Sequence, residues 1–340
     1  MKLSKKIITM SALASLFSST NSFALGECGF ACCLAGAATS GVTLAQNFGL
    51  SVQYENMDMT TLRNGRSKIS PDEAINRHWT LGNSYSISTH MKMEKLNFIG
   101  VLPMNERWQM LGMLPYIRND MDMRNKGATG AITDMKMDTV EGIGDMSLMS
   151  LYTVHTDAPI RPTERLTLGI GLKTPTGKNN ERNSKGTLIH AMMQTGSGSW
   201  DGLFSLNYMK AFYPLVLQGN LFYHLTTKGK EGYEFGDQIG YDLSARYQVG
   251  NYVNIGLEIN GIHAFKDKDH DGKFTRLTSM PDTPDYTGLD SILLSPLMQF
   301  KIPNSNGSVD FKYQRPMYQK VNGYQQVVDS RWQLSVTWGF

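Results

Sequence analysis

The stretch Arg331-Trp332-Gln333-Leu334-Ser335-Val336-Thr337-Trp338-Gly339-Phe340 decides the fold. Trp332, Leu334, Val336, Trp338 and Phe340 fall on one side of an extended chain; Arg331, Gln333, Ser335, Thr337 and Gly339 fall on the other. A period of two with one wholly apolar face is a β-strand, not a helix. An apolar face about ten residues long, with aromatics near both ends, is what a transmembrane barrel strand turns toward lipid. The expected fold is therefore all-β, an antiparallel transmembrane barrel of the outer membrane.

The other end of the sequence agrees. Lys2, Lys5 and Lys6 precede the apolar run from Ile7 to Phe17, and Ser18 to Ala24 supply a small-x-small cleavage site. That pattern predicts a signal peptide over 1–24, too short in its apolar part to anchor the chain. Residues 25–45 are small and apolar and carry three cysteines, an N-terminal segment suited to a short plug, and the barrel is expected over 46–340. The 33 glycines, 15 tyrosines and negative mean hydropathy fit strands that are only half apolar. A net charge of +3 is too small for the length to argue for nucleic acid. The partners expected are outer-membrane lipid, the barrel-assembly machinery and a small solute, in the cell outer membrane of a Gram-negative bacterium.

Between these ends, strand-like stretches alternate with two kinds of connection. Short turns fall near 105, 213, 250 and 305, and long polar loops at 60–77, 124–141, 175–191 and 265–286. About twelve strands are expected, the sixth over Gln194 to Ala211. Short turns at one end and long loops at the other are the outer-membrane arrangement, and an even count puts both termini on the periplasmic side.

Methionine stands out, at 21 of 340 residues, and recurs as Met57/Met59, Met91/Met93, Met121/Met123 and Met135/Met137. Spacing i, i+2 places both thioethers of a pair on one strand face. Leu96, Phe98 and Leu102 share the opposite phase to Met91 and Met93, so lipid-facing leucines would put those methionines in the lumen. Thioethers favour Cu(I), whereas flexible apolar side chains also simply fill space. Cys28, Cys32 and Cys33 read either as a soft-metal turn or as a local disulfide with one thiol left over. Asp267, Asp269 and Asp271 with Gly272 match the front of a calcium loop, but Thr278 stands where the bidentate acid belongs. Asp145, Lys173, Asp242, Arg246, Glu258, Asp310, Lys312 and Arg331 are expected to point inward, as a wet pore lining or a closed ion-pair network. The seven histidines sit in no recognisable catalytic spacing, so no enzyme is expected.

Four stretches, Glu141-Gly-Ile-Gly-Asp145, Gly169-Ile-Gly-Leu-Lys-Thr-Pro-Thr-Gly177, Gln194-Thr-Gly-Ser-Gly-Ser199 and Tyr318 through Trp332 to Trp338, come in a familiar order. Over roughly 80–340 the chain resembles the outer-membrane channel family named after the meta-pathway of phenol degradation. The resemblance implies a barrel that passes small solutes, often aromatic or apolar. The Met-x-Met pairs and the cysteine cluster stand outside that family's pattern, and they leave a soft-metal barrel as the alternative reading.

Overall fold

The computed structural model describes residues 48–158 and 162–340. The stretch expected to be a signal peptide, the 25–45 segment with Cys28, Cys32 and Cys33, and positions 46–47 lie outside the described residues. Twelve long strands form one closed antiparallel barrel. They are β1 (Gly49–Met59), β2 (Tyr85–Pro103), β3 (Trp108–Lys126) and β4 (Met146–Thr156). Next come β5 (Glu164–Thr174), β6 (Asp201–Phe212), β7 (Leu215–Leu225) and β8 (Gln238–Val249). The last are β9 (Val253–Ala264), β10 (Leu289–Lys301), β11 (Gly307–Val321) and β12 (Ser330–Gly339). Every strand pairs with its sequence neighbours, and β1 also pairs with β12 from Gly49 opposite Gly339 to Asp58 opposite Ser330. That seam leaves the barrel without a free edge.

The alternation read in β12 is realised in space. Leu334, Val336 and Trp338 are exposed, while Arg331, Gln333 and Thr337 are buried. β8 does the same, with Ile239, Tyr241, Leu243, Tyr247 and Val249 outward against Asp242, Ser244 and Arg246 inward. Trp108, Tyr213, Tyr252 and Trp338 ring the short-turn end, and Tyr116, Trp200 and Phe204 mark the other. Apolar walls between two aromatic girdles are the outer face of a lipid-embedded barrel. The protein is an outer-membrane barrel, and its long loops face out of the cell.

β2 and β3 run for 19 residues each, far more than the roughly 9–11 a tilted strand needs to cross the hydrocarbon. Their outward faces are apolar where the two strands lie nearest the short turn, over 96–102 and 108–116. Farther out come the ion pairs Lys92–Glu94 at 3.1 Å and Arg118–Asp120 at 3.2 Å. Charged pairs are not stable against lipid tails, so the outer ends of β2 and β3 stand clear of the membrane.

The loops pack into a cap rather than trailing. The 60–77 stretch, expected to be a polar loop, contains a hairpin (Thr61–Asn64 with Ser67–Ile69) and helix α1 (Pro71–His78). Ser70 caps α1 by accepting from the Glu73 N–H, Pro71 opens it, and Asp72 and Glu73 face the positive end of its dipole. Ala74 and Ile75 are buried against Leu62, Tyr85, Ile87 and Met280. The sixth strand begins at Asp201, not Gln194, because residues 194–199 are buried in the barrel mouth instead of joining the wall.

Candidate functional site at the outer mouth of the barrel

All eight expected lumen charges are buried or nearly so, and they are paired. Arg331 meets Glu55 at 2.8 Å, and Gln333 donates to the same carboxylate at 3.0 Å. Glu258 accepts from Arg246 at 3.1 Å and from Lys312 at 2.6 Å, with Asp310 3.8 Å from Arg246. Asp242 accepts from Asn260 at 2.5 Å. A wet pore lining would leave these groups in water, yet Glu55, Asp242, Glu258 and Arg331 are at most 1 % exposed. The conformation described is the closed network.

Asp145 and Lys173 belong to a second node, which joins the three Gly-rich motifs. Lys173, near the end of β5, lies 3.4 Å from Asp145 and contacts Asp201 at the start of β6. His224 of β7 adds a bond to Asp201 at 3.0 Å. Asp145 also accepts from the Gly177 N–H at 3.0 Å and from the Ser197 N–H and hydroxyl, both at 2.7 Å. The Lys173 ammonium donates to the Ser197 oxygen at 2.6 Å. A serine beside a lysine could be a nucleophile with its base, but this hydroxyl is spent on Asp145 and sealed from solvent.

The node fastens a loop. Residues 188–199 are buried throughout except Met192, which is half-buried, although they lie between strands and not in one. From the node the segment passes over β4 to the inner face of β3, where Asn119 donates to the Met193 carbonyl at 3.1 Å. Its outer side is held by His190, 2.5 Å from Asp282, which also takes Arg276 at 3.2 Å. Gly177 and Gly196 make the close approach possible: a Cβ on Gly196 would stand 2.4 Å from the Gly177 backbone. The 188–199 segment is a strap across the outer mouth.

Beneath the strap the methionines gather. Met57, Met59, Met91, Met93, Met121 and Met123 are buried together with Met193, and Met137 and Met192 pack against them half-buried. The register explains it. Met59 faces Met91 and Met91 faces Met121, one row across β1, β2 and β3, while Met57 faces Met93 in the next row. The bulge in β2 falls at Ser88/His90, before the pairs, so their inward phase is kept. Met135 is the exception: it lies opposite Met123 on the short strand Ile132–Lys136 but stays 47 % exposed. Met192 and Met193 come from the strap and fall outside the Met-x-Met spacing, so the pairs gave no signal for them.

The three aspartates of the calcium-loop pattern are each held by partners of their own. Asp267 accepts from the Tyr233 hydroxyl at 2.7 Å and the Gly236 N–H at 2.8 Å. Asp269 closes its own turn by accepting from Phe274 and Thr275, and Asp271 pairs with Lys228 at 2.6 Å. Each carboxylate is used separately, and among the described residues no three His, Cys, Asp or Glu side chains gather to hold an ion. Burial pushes the Asp267 carboxyl up to about 6. A raised carboxyl favours the folded loop while protonated, so that contribution is whole below the unfolded value near 4 and is lost as pH rises to about 6. Hydrogen exchange in the 265–286 loop should accelerate over that window, and Asp267→Asn should flatten the profile.

The sequence reading missed Glu55, Asp201, His224, His190 and Asp282. Glu55 shares the inward phase of Gln53 and Met57 and was within reach of the alternation rule; the others are paired by contacts between distant segments.

An outer membrane channel from Pseudomonas putida F1 has the same fold, with TM-score 0.55 and 13 % identity over 86 % of this chain and 95 % of that one. A FadL homologue from Pseudomonas aeruginosa aligns with TM-score 0.45 and 12 % identity over 90 % of this chain and 94 % of that one. No curated protein sequence matches the chain. The model of the family described as "Putative MetA-pathway of phenol degradation" matches residues 86–326, most of the length and all three motifs of the Lys173 node, and the chain belongs to that family.

Proposed function

We propose that the protein is a channel for small, apolar or aromatic solutes, gated at its outer mouth by the 188–199 strap. The observation that carries this reading is a loop of the chain's own, buried across the mouth of a closed barrel and held by side-chain bonds and single loop-to-loop backbone bonds rather than by the barrel sheet. A segment fastened in that way can leave without breaking a strand ladder, which is what gating asks of it. The entrance beneath it is apolar, lined by the methionine cluster; farther in, the lumen carries the paired charges on β1, β8, β9 and β12 and the apolar cluster of Ile99, Val101, Leu111 and Met149 on β2 to β4. An apolar solute gains from the first region and is excluded from neither by unpaired charge. Buried Ser197 and the separate use of each histidine offer no reacting centre, which favours transport over chemistry.

Purified protein in planar bilayers should show rare, brief openings, and proteoliposomes should take up small aromatic compounds faster than protein-free vesicles. If neither the wild-type chain nor a strap-released variant conducts or supports uptake, the channel reading falls.

A further inference from the structure

We propose that the methionine cluster under the strap is a binding site for a soft monovalent cation, Cu(I) or Ag(I), centred on the row Met59, Met91 and Met121. Three observations carry it. The first is composition in place. The interior cluster of Phe222, Ile262, Leu289, Val321 and Val327, in the same barrel, contains no methionine, and that of Leu188, Ala191, Tyr233 and Phe274 contains none either. The cluster around Leu111 mixes Met113 and Met149 with a majority of Ile, Val and Leu. In the cluster under the strap the apolar partners other than methionine are Val140, Ile189 and Val328 alone. Ordinary filling of an apolar space uses the aliphatic mixture found elsewhere in this chain, not one thioether after another.

The second is register. Residues directly opposite in an antiparallel ladder have Cβ atoms about 4.5–5.5 Å apart. Met59, Met91 and Met121 are opposite one another across two successive ladders. Each sulfur lies two bonds beyond its Cβ on freely turning torsions, so the three can close on one ion without moving the backbone. Met57 and Met93 in the neighbouring row, and Met193 from the strap, supply further sulfur donors within the same cluster.

The third is room beside the row. A cavity of about 20 Å³, the space of a single small particle, is lined by Met91 and the strap's Met192 together with Met280 of the neighbouring cluster, with Met59 and Met121 outside its lining. Uncharged sulfur donors match a large, polarizable monocation and suit Zn(II) or Ca(II) poorly, since those prefer nitrogen, thiolate or carboxylate oxygen. On the outer surface at the same level, Asp58 and Asp122 flank His90 at 2.8 and 3.4 Å, half exposed, and raise the local concentration of cations. The site is independent of the channel reading, since it asks nothing of the lumen below.

The test uses the full chain in detergent, with Cys28, Cys32 and Cys33 replaced by serine so that thiols contribute nothing. Cu(I) is offered in competition with a chromophoric Cu(I) chelator. The cysteine-free protein should withdraw Cu(I) from the chelator, with an X-ray absorption spectrum showing sulfur as nearest neighbour, and excess Zn(II) should not displace it. Met59→Leu/Met91→Leu/Met121→Leu conserves volume and should weaken binding at least tenfold, whereas Met113→Leu/Met149→Leu, in a different interior cluster, should leave it unchanged. If the triple variant does not assemble, Met91→Leu alone puts the same question with one substitution. The proposal is overturned if the cysteine-free protein leaves Cu(I) on the chelator, or if the folded Met→Leu variant binds as tightly as its parent.

Discussion

Lys173→Met is expected to open the outer mouth. The substitution removes the one ammonium that lies between Asp145 and Asp201, and those carboxylates are 0 % and 1 % exposed. Breaking a buried pair by deleting one partner costs about 3–5 kcal/mol, because the remaining charge is left without compensation. The barrel wall can absorb little of that strain: β5 keeps its ladders to β4 and β6 on both sides. The strap has no wall ladder to lose: besides Ser197 on Asp145 it is held by single bonds, Gly196 N–H to the Lys178 carbonyl, Asn119 to the Met193 carbonyl and His190 to Asp282, so its Ser197 end yields before the wall does. Protease cleavage within 188–199 on intact cells should rise, and single-channel openings should become long and frequent. Lys173→Met combined with Asp145→Asn and Asp201→Asn removes the charges together and should restore much of the closure. Unchanged cleavage and conductance in the single variant would show that the strap is held by something other than this node.

Deleting Trp338 to Phe340 is expected to abolish accumulation in the outer membrane. Trp338 faces Leu50 of β1 on one side and Gly307 of β11 on the other, so the deletion shortens two ladders at once. The Phe340 N–H donates to the Phe48 carbonyl at 2.8 Å, and the two rings stand 5.9 Å apart. The loss also takes a tryptophan from the inner aromatic girdle, where such rings set the depth of the barrel. Fractionation should find the truncated chain in the periplasm or degraded, while Trp338→Phe, which keeps an aromatic, should assemble. Normal membrane levels of the truncated chain would mean that the seam closes without this end.

The barrel was legible because lipid imposes a strict rule on every second residue. In β8 and β12 that rule holds along the strand, and in β9 as far as Asn260, and the inward charges could be named from it. It failed at Gln194 to Ser199, where small residues alternate as in a strand but are buried on all sides against the mouth. Periodicity reports which way side chains point, not whether the backbone bonds to a sheet. In the 60–77 stretch, Ser70-Pro71-Asp72-Glu73 is a sufficient helix start, and polar composition concealed it. The methionine pairs of β1 to β3 could be placed inside by phase alone. Met135 follows the same spacing but sits on a short outer strand that nothing covers, so its phase no longer implies burial.

The seam between β1 and β12 also has a consequence in time. Gly49 meets Gly339 across nearly the whole described length, whereas each of the other wall ladders joins consecutive strands. Closing a loop of that size is slow compared with zipping a hairpin, so the seam is the natural last event of folding. Until then β1 offers a row of unpaired N–H and C=O groups, as does the far side of the most recently formed strand. A growing barrel of this kind is a curled sheet with two adhesive borders, able to join a second copy as readily as itself. Its survival before closure therefore depends on the borders being occupied, and the kinetics of that last ladder decide between a barrel and an aggregate.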